Sequence, residues 1–298
     1  MDQKAATLIG MTSIVLWASM VGLIKQVSSL LGASLGVALV YTVSALLLLL
    51  IFKIPKVHQV PKTFLWVSAA LFVSYELCFS FAVAYARTET QAIEVSILNY
   101  LWPCLTIVAL VLAKELKFNA VVLMGLIVCL YGVAVIQMGL SLDIAMLLRN
   151  AASNPVSYVL ATVGAVIWAV YCVIIKKMSG GHNLIALYFV LTALMMWLKY
   201  MLFDRSVPDE ISPMSILYVL AAGAAIGLGY GAWNFGILKG NTKAMVVASY
   251  FTPVLSSVIA AILLGVSLSS SFWLGVALVS GGSLVCYLAT SNLIRLKR

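Results

Sequence analysis

Charge is what this 298-residue sequence has least of. Asp, Glu, Lys and Arg make up 9% of it, against 64% hydrophobic residues, where a soluble domain carries about 25% charged residues. So few charges cannot cover a water-facing globular surface, and a mean hydropathy of +1.13 excludes a soluble protein on a single anchor. Histidine is nearly missing: His58 and His182 are the two present, both in polar breaks between apolar runs. With no deep histidine, no paired carboxylates and no nucleophile–base pair, an intramembrane enzyme lacks its machinery, and no metal or other cofactor is expected. No glycine-rich phosphate loop occurs, which argues against direct use of a nucleoside triphosphate. The five cysteines, Cys78, Cys104, Cys129, Cys172 and Cys286, all fall inside apolar runs. They show no disulfide or metal spacing and read as small core residues. The net charge of +9 is dispersed between apolar runs. It fits a protein among membrane lipids and does not suggest nucleic acid as a partner.

Prolines are few as well. Pro55, Pro61, Pro155, Pro208 and Pro213 stand in or beside polar breaks. Pro103 and Pro253 lie inside apolar runs, in Asn99-Tyr100-Leu101-Trp102-Pro103 and Ser249-Tyr250-Phe251-Thr252-Pro253. A proline inside a helix removes a backbone donor and kinks or opens the helix. In a bilayer the carbonyl so freed needs protein or a water-filled cavity beside it. The two prolines are therefore expected as hinges beside a pathway.

What the sequence has in abundance is long apolar runs. Ten are of spanning length, at about 5–25, 35–52, 63–86, 91–113, 118–139, 156–175, 184–203, 214–238, 244–265 and 271–291, each near the length that crosses a roughly 30 Å hydrocarbon core. The fold class expected is an all-α integral membrane protein with ten transmembrane helices. At an offset of 150, Tyr100 meets Tyr250, Pro103 meets Pro253, Gly125 meets Gly275 and Gly132 meets Gly282; at 151, Trp17 meets Trp168 and Lys25 meets Lys176. Five spans per half is an odd number, so the halves form a 5+5 inverted repeat, a pattern of secondary transporters with the substrate between the halves. The expected units are residues 1–139, an interfacial linker at 140–155 and residues 156–298. With the N-terminus inside, thirteen of the eighteen Lys and Arg face inward, which places both termini in the cytoplasm.

The candidate site is made of polar and aromatic residues at membrane depth. Glu76 is the sharpest, since an intramembrane carboxylate is costly and faces a cavity or a partner. Two readings stand for it: contact with a substrate amine or proton coupling, or a structural bond to a neighbouring helix. Tyr75 and Phe79, four apart, share a face, and Asn99 and Trp102, three apart, line another. Trp17, Tyr100, Trp168, Trp233 and Tyr250 are candidates for the cavity wall, with Asn234 beside them; packing is the competing reading for each. Glu94 is expected in the first turn of the fourth run, after a capping box at Thr88-x-x-Gln91, where an acid complements the helix dipole; a role at the outer mouth of the pathway is the other reading. Lys25 and Lys176 end their runs and can snorkel to headgroups. The glycine row at Gly223, Gly227 and Gly231 permits close helix packing.

Ten spans, the inverted repeat and both termini inside resemble the drug/metabolite transporter superfamily of EamA type. Val73-Ser74-Tyr75-Glu76, Gln91-Ala92-Ile93-Glu94-Val95, Asn99-Tyr100-Leu101-Trp102-Pro103, Ala232-Trp233-Asn234 and Ser249-Tyr250-Phe251-Thr252-Pro253 look like its bacterial amino acid exporters. The resemblance covers essentially the whole chain. It implies a multi-pass exporter of amino acids in the bacterial inner membrane, working by alternating access through a central cavity. Aromatic amino acids are the first expected cargo. Asp204 to Pro213 departs from that pattern, so other amino acids belong in the expected range. An exporter of drugs or other metabolites on the same frame is the alternative, and a structural or receptor-like protein has no need of an inverted repeat. Protons as coupling ion, uncoupled export and the oligomeric state all stay open at this point.

Overall fold

The computed structural model of the chain describes residues 2–52, 57–115, 120–178, 182–205, 208 and 210–295. Among them there is no strand. Thirteen α-helices follow one another: α1 (Gln3–Leu31), α2 (Ala33–Ile51), α3 (Lys62–Ala84), α4 (Glu89–Asn99), α5 (Trp102–Leu112), α6 (Ala120–Met138), α7 (Ile144–Ser153), α8 (Pro155–Met178), α9 (Ile185–Phe203), α10 (Pro213–Lys239), α11 (Thr242–Ser249), α12 (Thr252–Leu264) and α13 (Ser270–Arg295). Nine spans among the described residues are long and apolar enough to cross a membrane, α4 and α5 counting as one, and α12 is a shorter apolar helix. Each of the ten expected segments coincides with a helix or with a pair of half-helices.

The pairs arise at the two interior prolines. α4 stops at Asn99, and α5 restarts at Trp102 with Pro103 in its first turn. α11 stops at Ser249, and α12 restarts at Thr252 with Pro253 in the same place. Proline fits the first turn because the N–H it lacks has no intrahelical acceptor there. The expected kinks are therefore full breaks, Tyr100-Leu101 and Tyr250-Phe251.

Two expectations about charged residues change. α1 runs to Leu31, so Lys25 lies inside the helix and not at its end. It is buried, and its Nζ donates to the carbonyl of Ala86 at 2.5 Å. A buried carbonyl holds the ammonium where headgroups were expected, and α1 is thereby tied to the α3–α4 connection. Glu94 lies in the second turn of α4 and accepts from the Tyr158 hydroxyl at 3.0 Å. The cap itself is made by Thr88, whose Oγ1 accepts from the Gln91 amide at 3.1 Å. The Gln91 side chain accepts from the Arg87 amide at 2.8 Å, one residue before the cap. Lys53, Lys56, Lys117, Ser179, Asp209, Lys297, Arg298 and the Lys176 side chain lie outside the described residues.

Small residues set the packing. Between lipid-facing helices the hydrophobic effect gives little net attraction, so close backbone approach carries the contact. α6 and α13 meet glycine to glycine. A Cβ on Gly132 would stand 2.7 Å from the Gly275 carbonyl oxygen, and one on Gly282 would stand 2.6 Å from that of Gly125. The glycine row of α10 works on two neighbours. A Cβ on Gly227 would lie 3.0 Å from the Ser44 carbonyl of α2, and one on Gly229 would lie 2.9 Å from the Trp17 indole of α1. Ser44 also donates to the Gly223 carbonyl at 2.9 Å. α1 packs on α10 and α12, α8 packs on α3 and α5, and α2 packs on α9. α7 leaves Ile144 and Leu148, four apart, uncovered by protein, the apolar face that an interfacial helix presents.

This packing separates neighbouring glycines. Gly281 has nothing within 4 Å of a built Cβ, whereas Gly282 meets the Gly125 carbonyl oxygen and the Cys129 amide nitrogen, at 2.6 and 2.9 Å. Neither backbone atom can move without shifting a helix. Gly282→Ala is expected to cost about 1–3 kcal/mol, read as a lower melting temperature in detergent, while Gly281→Ala leaves the melt at or above wild type. Equal melts for the two variants would contradict the close contact of α6 and α13.

Candidate functional site

The two helix breaks open onto one cavity of about 70 Å³, counted over the positions a water centre can take. A water needs about 10–15 Å³ on that measure, so the space holds a few small polar groups. The first break contributes Asn99, Tyr100, Trp102 and Pro103, and the second contributes Ser249, Tyr250, Thr252 and Pro253. Facing them are Trp17 and Met20 of α1, Tyr75 and Phe79 of α3, Trp168 of α8 and Tyr230 of α10, with Ser283 of α13 at the edge. None of these lining residues carries a charge.

The aromatic wall is continuous. The rings of Tyr75 and Trp168 lie 4.4 Å apart between centroids, and Trp102 meets Trp168 edge-on at 6.2 Å. On the other flank Trp17 meets Tyr230 edge-on at 5.2 Å. Tyr75 and Phe79, four apart on one face of α3, are parallel at 6.2 Å. Such contacts add about 0.5–1.5 kcal/mol each beyond burial, so the wall keeps its shape without a ligand.

Polar capacity comes from the breaks. Pro103 and Pro253 have no N–H to offer the carbonyls of Asn99 and Ser249, four residues before them. The Tyr100 amide reaches the Ser96 carbonyl at 3.1 Å, the Leu101 amide that of Leu98 at 3.2 Å and the Phe251 amide that of Ala248 at 3.1 Å. The carbonyl ends of α4 and α11 therefore face the amide ends of α5 and α12 across two-residue gaps. Each pair of ends carries partial charges of both signs, about half an elementary charge per end. Asn99 Nδ2 donates to the Tyr75 hydroxyl at 3.3 Å, and its Oδ1 is buried without a donor.

Eight of the residues expected from sequence line this cavity: Trp17, Tyr75, Phe79, Asn99, Tyr100, Trp102, Trp168 and Tyr250. Pro103 and Pro253 line it too. Glu76, Trp233 and Asn234 are not in its lining. Glu76 is fully buried one layer back, where it accepts from the Tyr230 hydroxyl at 2.5 Å and from the Tyr41 hydroxyl. Trp233 packs on the Trp17 ring, 5.2 Å between centroids, and Asn234 donates back to the Tyr230 carbonyl at 2.9 Å. Tyr230, Met20, Thr252 and Ser283 were not expected in the wall. Tyr230 stands between Gly229 and Gly231. Thr252 sits one residue before Pro253, and its place at the break was available from the sequence.

Beside Ser283 the thiols of Cys104 and Cys129 approach to 3.0 Å. None of the five cysteines is in a disulfide, and no His, Cys, Asp and Glu group among the described residues could hold a metal ion.

Residues 156–288 match the EamA-like transporter family. Nearly the whole chain is similar to proteins named aromatic amino acid exporter YddG. It is 45% identical to that of Escherichia coli (strain K12) over 97% of this chain and 99% of the relative. It is 44% identical to that of Salmonella typhimurium (strain 14028s) over 97% and 99%. It is 24% identical to that of Ancylobacter novellus over 97% and 99%. One crystal structure at 24% identity superposes with a TM-score of 0.69, covering 97% of this chain and 100% of that one, so the fold is shared. These relatives are transporters, not enzymes. With this similarity over nearly its full length and its apolar spans, the chain belongs to the EamA-like transporter family, as a multi-pass exporter of the bacterial inner membrane.

Proposed function

We propose that this exporter carries net-neutral amino acids, aromatic ones first, by alternating access through the cavity at the two helix breaks. The observation that carries the reading is an aromatic wall with no charged residue among the described ones, beside helix ends of both signs. A zwitterion has no net charge to desolvate but two full charges to satisfy. Its carboxylate suits the amide ends of α5 and α12. Its ammonium suits the carbonyl ends of α4 and α11 and the Asn99 Oδ1. A flat side chain suits Trp102, Trp168 and Tyr75. The exporters similar to this chain are named for aromatic amino acids. A cationic drug would call for a carboxylate in the wall, and among the described residues the lining holds none.

The moving parts are read as two inverted halves, residues 1–139 and 156–298, joined by 140–155, with both termini in the cytoplasm. Helix exchange supports this: α1, first in its half, packs on α10 and α12, while α8, first in the other, packs on α3 and α5. That is the pattern two-fold-related halves generate. Pro103 and Pro253 are the flexible points about which the halves rock.

Liposomes containing the purified protein are expected to take up labelled phenylalanine and leucine faster than empty liposomes, with lysine and glutamate slower than phenylalanine by about tenfold or more, since an unpaired charge must be desolvated. Uptake of lysine equal to that of phenylalanine, or no neutral uptake above empty liposomes, would sink the reading. A pH gradient in the same assay separates proton-coupled from uncoupled export.

Trp102→Ala and Tyr100→Ala are expected to raise the phenylalanine KM by about tenfold, from the lost ring contact and its burial. Unchanged KM in both, at equal expression, removes the first break from the binding site.

A further inference from the structure

The buried carboxylate behind the cavity has a partner in each half of the chain. Glu76 stands on α3, Tyr41 on α2 and Tyr230 on α10. The Tyr230 hydroxyl donates to Glu76 Oε1 at 2.5 Å, and the Tyr41 hydroxyl donates to Oε2. The Tyr41 oxygen pairs in turn with Ser80 Oγ at 2.8 Å. Glu76, Tyr41 and Ser80 are shut from solvent. The Tyr230 ring is the element of this group that reaches the cavity, edge-on to Trp17 at 5.2 Å and to Trp168 at 6.4 Å. Those two tryptophans are the matched pair of the repeat, so the ring fixed by Glu76 sits between them.

We propose that Glu76 is a positioning residue. Its carboxylate, held in place by Tyr41 of its own half, fixes the Tyr230 ring in the cavity wall and so braces one half of the chain against the other, without meeting the cargo or cycling a proton. The binding part of this inference rests on the transport reading above; the brace does not. The geometry supports it in two ways. Both oxygens are engaged by hydroxyl donors and the side chain is fully buried, which keeps the carboxylate out of the cargo's reach. A phenol ring also lies between the carboxylate and the cavity. A carboxylate in a low-dielectric interior needs such donors to persist, and phenol hydroxyls provide them without adding charge.

The test uses the full-length protein in liposomes with phenylalanine as the probe. In Glu76→Gln the amide accepts from one tyrosine and donates to the other, so KM is expected to stay within about twofold of wild type. Tyr230→Phe and Glu76→Ala each remove the anchoring bond. They are expected to raise KM by about tenfold, the upper end for one buried hydrogen bond, with Vmax changing less. Combined, they should raise it no further than either alone. The same non-additivity is expected in melting temperatures in detergent, a reading that needs no substrate. Glu76→Gln failing as completely as Glu76→Ala would assign ionisation a role and overturn the proposal, as would additive effects in the double variant. A wild type that moves no phenylalanine sinks the transport reading, and the melting cycle then decides the brace by itself. If Glu76→Ala does not fold, Glu76→Gln set beside Tyr230→Phe decides alone: near-wild-type KM in the first with a rise of about tenfold in the second supports the proposal, and equal loss in both overturns it.

Discussion

A bilayer leaves no water to satisfy a backbone carbonyl, so a spanning segment holds its hydrogen bonds within itself or borrows partners from protein. Pro103 and Pro253 break that rule in two segments, and the rest of the structure is arranged around the consequence. Each break costs a spanning helix its continuity at mid-depth. Each is covered by a long helix, α8 over the first and α1 over the second, and each opens on the same cavity. The unmade helical bonds thus become the polar capacity of an otherwise aromatic chamber.

The frame that tolerates two such breaks is stiff for a different reason. α6 and α13 touch through glycine backbones, as α10 touches α1 and α2. Contacts of this kind allow little sliding, because the atoms that would collide belong to the main chain. Hydrogen bonds between distant segments add to it: Ser44 to Gly223, Lys25 to Ala86, and Glu76 to Tyr230. The close-packed helices and the interrupted ones are separate elements, which is the division a rocking mechanism requires. Motion can gather at Tyr100-Leu101 and Tyr250-Phe251 while the glycine seams stay closed.

Depth along a helix was legible in the sequence; direction around it was not. The echo of Tyr100 and Pro103 in Tyr250 and Pro253 located both breaks, and the matched Trp17 and Trp168 located two walls. Glu76 was as deep as Tyr75 and looked as functional. One residue turns an α-helix by about 100°, and that turn carries Glu76 away from the cavity toward Tyr41 and Tyr230. Trp233 was hidden for a similar reason, behind Trp17. Tyr230 was missed because its neighbours are glycines and the first half carries no echo of it. Lys25 looked terminal because its charge stands at the edge of the apolar run. Its partner, the Ala86 carbonyl, is 61 residues away, and no local pattern could announce it.

Keeping the carboxylate one layer behind the wall has a physical consequence for a carrier. A full charge facing the cargo would hold an ammonium strongly on whichever side of the membrane the site opened, and release would suffer, since transport needs a site weak enough to leave as well as strong enough to enter. Helix ends offer partial charges, which are weaker and come in both signs. In the inverted arrangement proposed here, each half supplies one carbonyl end and one amide end. Exchanging the halves then presents the same pair to the opposite side. A zwitterion would therefore meet equivalent partners before and after the switch, and neither orientation would trap it. Glu76 contributes to that balance by what it keeps in place, the Tyr230 ring between Trp17 and Trp168, rather than by any charge shown to the cargo.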